Sequence, residues 1–455
     1  MVNVVPRSIS RALTIAGSDS GGGAGIEADV KTFSALGVHG SVAITAVTAQ
    51  NTVGVSTVHE IPPDVIKAQV EAVVRDIGVD CTKTGMLYSS TTIKEVSSLV
   101  GACRLKLVVD PVMVAKSGAA LLKADAHESL VTTLIPLAEV VTPNIDEAEA
   151  LTGMRISSVD DSAVAAWRIV DMGAKAVVVK GGHLKGRPVD VLCLKGGKPM
   201  EFSGERILSG TTHGTGCTFS AALTAYLAKG IALGEAVRKA KEFVASAISF
   251  GLPIGKGVGP VEPMSMLRVE AERWKVFLNM VDAISLLESA DGLAKLSPEC
   301  QVNIAMSLPP PYAVDPDSVC GIPGRFRAVG GRLHAAFCPA FGASRHVAGA
   351  LLTAMKHDER IRASMNIRCS KEILTAAKKL GYVIGNYDRK REPPDVKAAE
   401  GASIPWGIAQ AISGAGQVPD IIYHKGDIGK EPMINIFGRD AVEVAVKAIR
   451  LSKIL

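Results

Sequence analysis

The chain has 455 residues, 47% of them hydrophobic, 21% charged and 4% aromatic, a balance that excludes a disordered polymer and calls for mostly aliphatic cores in two or three domains. A net charge of +5 with no basic arm argues against nucleic acid as a partner. Eight scattered cysteines without a Cys-x-x-Cys pair read as reduced thiols rather than a disulfide frame or zinc site, and the absence of a leader pattern or an apolar run of transmembrane length predicts a soluble, cytoplasmic protein.

Ala12–Ala16 is a predicted strand that breaks into Gly17-Ser18-Asp19-Ser20-Gly21-Gly22-Gly23-Ala24-Gly25, with a predicted helix from Ile26 to Leu36. Strand, glycine loop and helix invite a phosphate-loop reading, and the details refuse it. No Gly-Lys-Ser/Thr closes the loop, and Ile26 stands where the dinucleotide fingerprint needs glycine. The loop is expected instead to bring backbone close to a small substrate. Asp29, near the helix start, either accepts hydrogen bonds from a polar ligand or is a first-turn charge.

Ser41–Ala49 is a second predicted strand, ending at Gln50, whose carbonyl and amide match an aminopyrimidine edge. Further strands are expected at Cys81–Thr84, Leu105–Val109, Val140–Thr142 and Ala176–Lys180, with helices at Pro63–Asp76, Ser162–Met172 and Leu233–Phe250. Such alternation predicts an α/β fold, a mostly parallel sheet covered by helices. The unusual residues follow the strands, at the carboxyl edge where open sheets bind ligands. Gly210-Thr211-Thr212-His213-Gly214-Thr215-Gly216-Cys217 leads into an apolar helical run, so its N–H groups should converge on an anion and lower the pKa of Cys217. The other reading is a tight turn with a packing cysteine.

Leu13–Ile26, Thr48-Ala49-Gln50-Asn51-Thr52, Lys83-Thr84-Gly85-Met86-Leu87, Val109-Asp110-Pro111-Val112-Met113, Thr142-Pro143-Asn144 with Glu147, Lys180-Gly181-Gly182-His183 and Gly214–Cys217 together resemble the ribokinase superfamily, specifically the hydroxymethylpyrimidine/phosphomethylpyrimidine kinases of thiamine biosynthesis. The resemblance covers about 250 residues. It implies ATP-dependent phosphorylation of the pyrimidine's hydroxymethyl group and then of the monophosphate. Cys217 would take the hydroxyl proton, and Lys180 would contact the phosphates. Asn144, His213, Gly214, Thr215 and Gly216 would hold the nucleotide, and Asp110 and Glu147 would act on magnesium through water. Gly17, Asp29, Gln50, Met86 and Val112 would line the pyrimidine pocket. Glu27 departs from the family, which usually has glutamine there. The Gly-rich stretch Gly255–Pro260 resembles the end of this module, so the kinase domain is assigned to residues 1–263.

Residues 264–455 open with a predicted amphipathic helix, Leu267–Leu287, and continue through the helix-excluding Leu308-Pro309-Pro310-Pro311-Tyr312. Short segments are expected at Arg327–Val329 and Arg332–His334, then a helix over Ser344–Met355 and strands at Met365–Arg368, Tyr382–Tyr387, Asp420–His424 and Ile434–Phe437. Helices at Lys371–Leu380 and Ala441–Leu451 complete a second α/β domain. Ser344 is positioned to cap its helix, leaving Arg345 and His346 in the first turn. The helix dipole disfavours cations there, which suggests an anionic ligand; the alternative is that both point to solvent.

Val329–His334, Phe341–Ala348, Ala363–Arg368, Pro405-Trp406-Gly407 and Gly426-Asp427-Ile428-Gly429-Lys430-Glu431-Pro432 resemble the archaeal-type thiamine-phosphate synthase domain, found fused behind such a kinase. That resemblance implies condensation of hydroxymethylpyrimidine diphosphate with thiazole phosphate. Arg325 and His346 would bind phosphate or assist the leaving group, and Arg345, Asn366 and Lys430 would bind substrate, with magnesium on the diphosphate. Small molecules are then the partners, and the kinase family implies a homodimer. Two other readings remain at this stage: a C-terminal domain that senses thiamine phosphates without catalysis, and a kinase half specific for pyridoxal-type alcohols.

Overall fold

The computed structural model describes residues 9–115, 118–123, 125–399, 401–427 and 429–455. It comprises two compact units, divided between Leu267 and Arg268.

The first unit is built on nine strands: β1 (Arg11–Asp19), β2 (His39–Gln50), β3 (Val55–Glu60), β4 (Cys81–Thr84), β5 (Leu107–Val109), β6 (Val140–Val141), β7 (Ala176–Val179), β8 (Val189–Leu194) and β9 (Met200–Ser203). Their order is β3-β2-β1-β4-β5-β6-β7-β8-β9. The strands from β2 to β7 run parallel, while β3, β8 and β9 join antiparallel. The three antiparallel strands were not expected from the sequence. β3 is Val-Ser-Thr-Val-His-Glu, polar and largely exposed, as an edge strand can be.

Alternation along the strands sorts the core into two faces. Leu13 and Ile15, Leu107 and Val109, and Val177 and Val179 pack against helices α2 (Pro63–Ala72), α3 (Ser90–Ala102), α4 (Ile145–Thr152) and α5 (Val159–Asp171). Val108, Ala176 and Val178 face the other way, towards α6 (Thr215–Ala228) and α7 (Leu233–Ser249). On that face Phe33 of α1 (Gly25–Ala35) meets Ala12, Ala221 and Ala225. Among the described residues the first face fully buries no aromatic side chain, with Trp167 packed half-buried against it, in keeping with the aliphatic composition. Helix α6 is buried on most of its surface, so its first turn is fixed against the end of the parallel strands.

Helix α8 (Ser265–Ser289) leads into the second unit. Its main sheet has seven strands, in the order β14 (Ala340–Phe341), β11 (Val319–Gly321), β10 (Ile304–Ser307), β15 (Ala363–Arg368), β18 (Met433–Gly438), β17 (Ile421–His424) and β16 (Ile384–Asn386). Only β16 and β17 pair parallel. A separate hairpin joins β12 (Phe326–Val329) to β13 (Arg332–Ala335). Helices α9 (Arg345–Met355) and α11 (Ser403–Ala415), between which the chain forms α10 (Lys371–Lys379), cover one face, through Ala350, Ala354, Ile408 and Ile412. This is an α/β unit with a mostly antiparallel sheet. Ser344 occupies the N-cap position of α9, but its side chain makes no capping bond, contrary to the expectation from sequence. Among the described residues no helix is long and apolar enough to cross a membrane.

Candidate active sites

In the first unit two glycine loops meet at the carboxyl edge of the parallel strands. Asp19 closes the first: its carboxylate accepts from the N–H groups of Gly21, Gly23 and Ala24 at 2.8, 3.2 and 2.9 Å. Glu27 braces the same turn, accepting from Ser18 Oγ and the Asp19 N–H. The second loop enters α6 through Gly214, whose φ of +80° suits only glycine and whose added Cβ would fall 1.9 Å from the Gly23 carbonyl oxygen. The loops therefore touch through backbone. His213 ties them by side chain as well, with Nε2 2.9 Å from Asp19 Oδ2 and 3.2 Å from Gln50 Nε2. Its ring, expected at the nucleotide, is engaged with the first loop.

Beneath the loops lies a set of buried charges. Lys83 and Asp29 are both fully buried, and Lys83 Nζ lies 2.8 Å from each Asp29 oxygen; Thr14 Oγ1 donates to Oδ2 at 2.7 Å. Asp29 is thus enclosed and partnered rather than presented to a ligand. Burial opposes the Lys83 charge, but Asp29, Cys217 and Asp110 outweigh it and hold the ammonium above the ordinary lysine range. Asp110, just past β5, receives Lys180 Nζ at 3.1 Å and Ser220 Oγ at 3.0 Å. Burial acts against its charge; Lys180 and Lys83 prevail and keep it below the usual carboxylate range. Lys180 in turn stands over the start of α6, since a Cβ on Gly216 would lie 3.4 Å from its Nζ.

Asn144 and Glu147 form a reciprocal capping box at the start of α4, with distances of 2.7 and 2.9 Å. Burial, with the Asp110 charge adding, pushes Glu147 up to about 7. Among the described residues no group of three or more His, Cys, Asp or Glu side chains forms a metal cluster. The Asp110–Glu147 pair still fits magnesium, because its second carboxylate is short of positive charge and this ion keeps most of its water.

Cys217 is in the first turn of α6 and only partly exposed. The sequence led us to expect a lowered pKa, and the structure differs. Burial pushes the thiol up to about 11, against the pull of Lys83. The helix end and one lysine do not offset lost hydration and two nearby carboxylates. Beside it, Gly17 lets Met86 approach: an added Cβ would sit 3.0 Å from the Met86 sulfur. Met86 packs with Ala46 and Leu121, and Val112 and Tyr88 flank them. The structure thus brings Gly17, Met86 and Val112 into one apolar cluster, with Gln50 at the end of β2.

In the second unit a cavity of about 310 Å3 is lined by Gln301, Asn303, Ile322 and Gly324 together with Arg325, Arg345 and His346. It sits where β10 begins and β11 ends, beside the first turn of α9. Arg325 has φ +62°, uncommon for a bulky residue, and its guanidinium donates to the Cys300 carbonyl. The Cys300 N–H is in turn held by Glu431 at 2.9 Å. Asn366 lies behind the cavity wall: it is buried, and its Oδ1 accepts from the Asn303 N–H at 2.7 Å. Lys430 is exposed in the turn bridged by Asp427 and is not part of the cavity wall. Ile428 of the same motif lies outside the described residues.

Sequence reasoning passed over Lys83, Asp19, Ser220 and Glu431 as site residues. Lys83 had a usable signal, a lysine inside the short central strand Cys81–Thr84, where a charge is buried only with a partner. Asp19 carried a local one, an aspartate just ahead of a glycine run that its carboxylate can close; Ser220 and Glu431 carry none, because their partners Asp110 and Cys300 are distant in sequence.

A phosphomethylpyrimidine kinase family model matches residues 19–262, and a thiamine-phosphate synthase ThiN model matches residues 279–450. The hydroxymethylpyrimidine/phosphomethylpyrimidine kinase of Bacillus subtilis (strain 168) is 48% identical over 263 residues, covering 57% of this chain and 97% of that protein. The thiamine biosynthesis bifunctional protein ThiED of Geobacter sulfurreducens is 51% identical over 251 residues, 55% of this chain, and the match spans 51% of that relative's length. Among solved structures, an ADP complex of Bacillus subtilis pyridoxal kinase aligns with TM-score 0.54 and 43% identity over 57% of this chain and 99% of that one. The Staphylococcus aureus pyridoxal kinase in complex with AMP-PCP and pyridoxal aligns at 0.54 and 39%, over 58% and 96%.

Proposed function

The chain belongs to the phosphomethylpyrimidine kinase family and carries a thiamine-phosphate synthase domain behind its kinase domain, which places it in thiamine biosynthesis; from that premise we propose two consecutive reactions. Residues 1–263 use ATP and magnesium to phosphorylate hydroxymethylpyrimidine to its monophosphate and then its diphosphate. Residues 264–455 condense that diphosphate with thiazole phosphate, releasing pyrophosphate. A homodimer belongs to the same reading and is checked by light scattering.

The observation that carries the first reaction is the convergence of Lys180, Asp110 and the first turn of α6 beside the apolar cluster of Gly17, Met86 and Val112. The first N–H groups of a helix have no partner within it, so Gly216 and Cys217 offer donors to a transferring phosphoryl group, and Lys180 adds charge. Asn144, Gly214 and Thr215 border the nucleotide, and His213 acts by fixing the loop. Asp110 and Glu147 would hold magnesium through water, where it neutralises charge on the phosphates. Gln50 reads the pyrimidine edge; Asp29 acts from behind, through Lys83. Cys217 as thiolate takes the hydroxyl proton while the new O–P bond forms and the bond to the leaving phosphate breaks. The thiolate is a minority form at neutral pH, so turnover should rise with pH.

For the second reaction the supporting observation is the cavity bearing Arg325, Arg345 and His346. Displacement of diphosphate builds negative charge on the leaving group, and two guanidiniums with an imidazole at a helix start compensate it. Asn366 supports the wall, and Lys430 reaches the diphosphate from the rim. The test is a one-pot assay of the purified chain with hydroxymethylpyrimidine, magnesium-ATP and thiazole phosphate, its products identified by mass. Thiamine phosphate forming only in the complete mixture supports both reactions. Pyrimidine diphosphate accumulating alone makes the second unit a binding domain, and no phosphorylation overturns the first assignment. Because solved pyridoxal kinases share the first unit's fold, pyridoxal is the competing alcohol; turnover of it in preference to hydroxymethylpyrimidine overturns the substrate.

A further inference from the structure

Lys83 and Asp29 are each fully buried and meet at 2.8 Å through both carboxylate oxygens, in the interior of the first unit. A pair buried to this depth is poor value for stability, because well-packed apolar residues of similar volume commonly serve as well or better. Its place in the fold supplies another reason. Lys83 lies in β4 at the centre of the parallel sheet, and its ammonium reaches up the strand: a Cβ on Gly85, two residues towards the site, would lie 3.4 Å from Nζ. Asp29 stands one turn along α1 from Gly25, and Gly25 meets the first loop so closely that an added Cβ would fall 2.4 Å from the Gly17 carbonyl oxygen. Thr14, from β1, holds the remaining side of Asp29. Three elements therefore pin one positive charge under the floor of the site.

We propose that Lys83 is a positioning residue of the phosphoryl-transfer site: a fixed cation, locked by Asp29 and Thr14, that sustains the thiolate of Cys217. The inference rests on Cys217 being the proton acceptor. Lys83 keeps its proton throughout. Cys217 first loses its proton to solvent, and the resulting anion is steadied by Lys83 and by the N–H groups opening α6. The thiolate then takes the proton of the attacking hydroxyl as the O–P bond forms. The charged groups bearing on Cys217 are Lys83 from β4, Asp29 from α1, Asp110 after β5 and Lys180 after β7. The two carboxylates oppose the thiolate. Lys180, meanwhile, is drawn to Asp110 at 3.1 Å, and to the phosphates when they bind. Lys83 is the cation with no path to solvent or substrate, so its field on the thiol is the same at every stage.

The experiment is the pH dependence of Cys217 alkylation in the full chain, read at the Cys217 peptide by mass spectrometry, for the native protein, Lys83→Met and the double variant Asp29→Leu/Lys83→Met. The double variant removes the pair without leaving an unpartnered buried charge, so it keeps the test open if the single variant does not fold. The expected result is at least about tenfold slower alkylation at pH 8 in whichever variant folds, with the rising limb of kinase turnover displaced upward by about one pH unit, one unit being a tenfold change in thiolate. Synthase turnover on supplied pyrimidine diphosphate should be unchanged. A folded variant with native alkylation and an undisplaced pH limb overturns the proposal and leaves the pair a packing element. Kinase activity surviving in Cys217→Ala would instead remove the premise about Cys217, an outcome that the alkylation profile of Lys83→Met does not share.

Discussion

The two units meet the same problem, holding anionic phosphate, in opposite ways. In the first, every cation beneath the loops already has an anion: Lys83 has Asp29, and Lys180 has Asp110, at 2.8 and 3.1 Å and with little or no exposure. In the second, Arg345 and His346 are exposed on a cavity wall, and the Arg325 guanidinium donates to a backbone carbonyl with the Glu431 carboxylate bearing on it. A site assembled from buried pairs is preorganised, with its charge states set by the protein. A site assembled from exposed cations takes its compensating charge from the ligand. Local dielectric is the reason: partners are obligatory where water is absent and optional where it is present.

That contrast can be broken most forcefully at Cys217. Cys217→Ala should lower kinase turnover about 100- to 10,000-fold, the range for loss of a general base, and leave the synthase active on supplied diphosphate. Parallel loss of both activities in the product assay would contradict separate sites. Next in size, Arg325→Ala or His346→Ala should cost the synthase about 100- to 1,000-fold, as for an anion-stabilising donor, with ATP turnover intact. Collapse of ATP turnover would count against the division at 263.

Kinase turnover should climb about tenfold for each pH unit wherever thiolate formation limits the rate, because burial holds Cys217 up to about 11. A plateau by pH 7 would mean that bound ATP lowers the thiol much further than Lys83 does. Salt should separate the two units more gently. Between about 0.05 and 0.5 M ionic strength, the synthase KM for its phosphate substrates should rise several-fold and the kinase KM for its pyrimidine less than about twofold, because exposed charges are screened and buried ones are not.

Glu147 gives the smallest effect. Its folded pKa is raised to about 7, so it supports the fold in its neutral form, and that contribution is lost as pH rises through 7. Between pH 6 and 8 without magnesium, the native kinase unit should lose about 1.4 kcal/mol from this group, or about 3–6 °C in Tm. Glu147→Gln should not show that loss, and magnesium should reduce it only in the native protein. Calorimetry in which the two proteins respond alike would place the charge deficit elsewhere.

The parallel sheet and the gathering of Gly214–Cys217 at a helix start were legible because they follow from local periodicity and glycine placement. Asp110 and Lys180 were legible as residues at strand ends, whereas Glu147, inside α4, was named only from resemblance. The antiparallel edges β3, β8 and β9 were not, since short half-exposed strands carry little pattern. Helix α11 showed itself only as the motif Pro405-Trp406-Gly407. In the second unit Arg325 and His346 were named from resemblance; their convergence with Arg345 on one cavity depends on how β10, β11 and α9 pack.

By itself the sequence determined the order of elements, the two families the chain resembles and the residue types available for phosphate chemistry. All of these reside in neighbouring residues or in recognisable motifs. Tertiary structure alone decided the charge states. Lys83 and Asp29 are 54 positions apart, Lys180 and Asp110 are 70 apart, and Asp19 and His213 are 194 apart. A helix start by itself argues for a thiolate at Cys217, and a strand by itself says nothing about a lysine within it. Burial and the partners that folding brings together reverse the first expectation and give the second its role, because a charge in a low-dielectric interior is governed by what lies within a few ångströms of it.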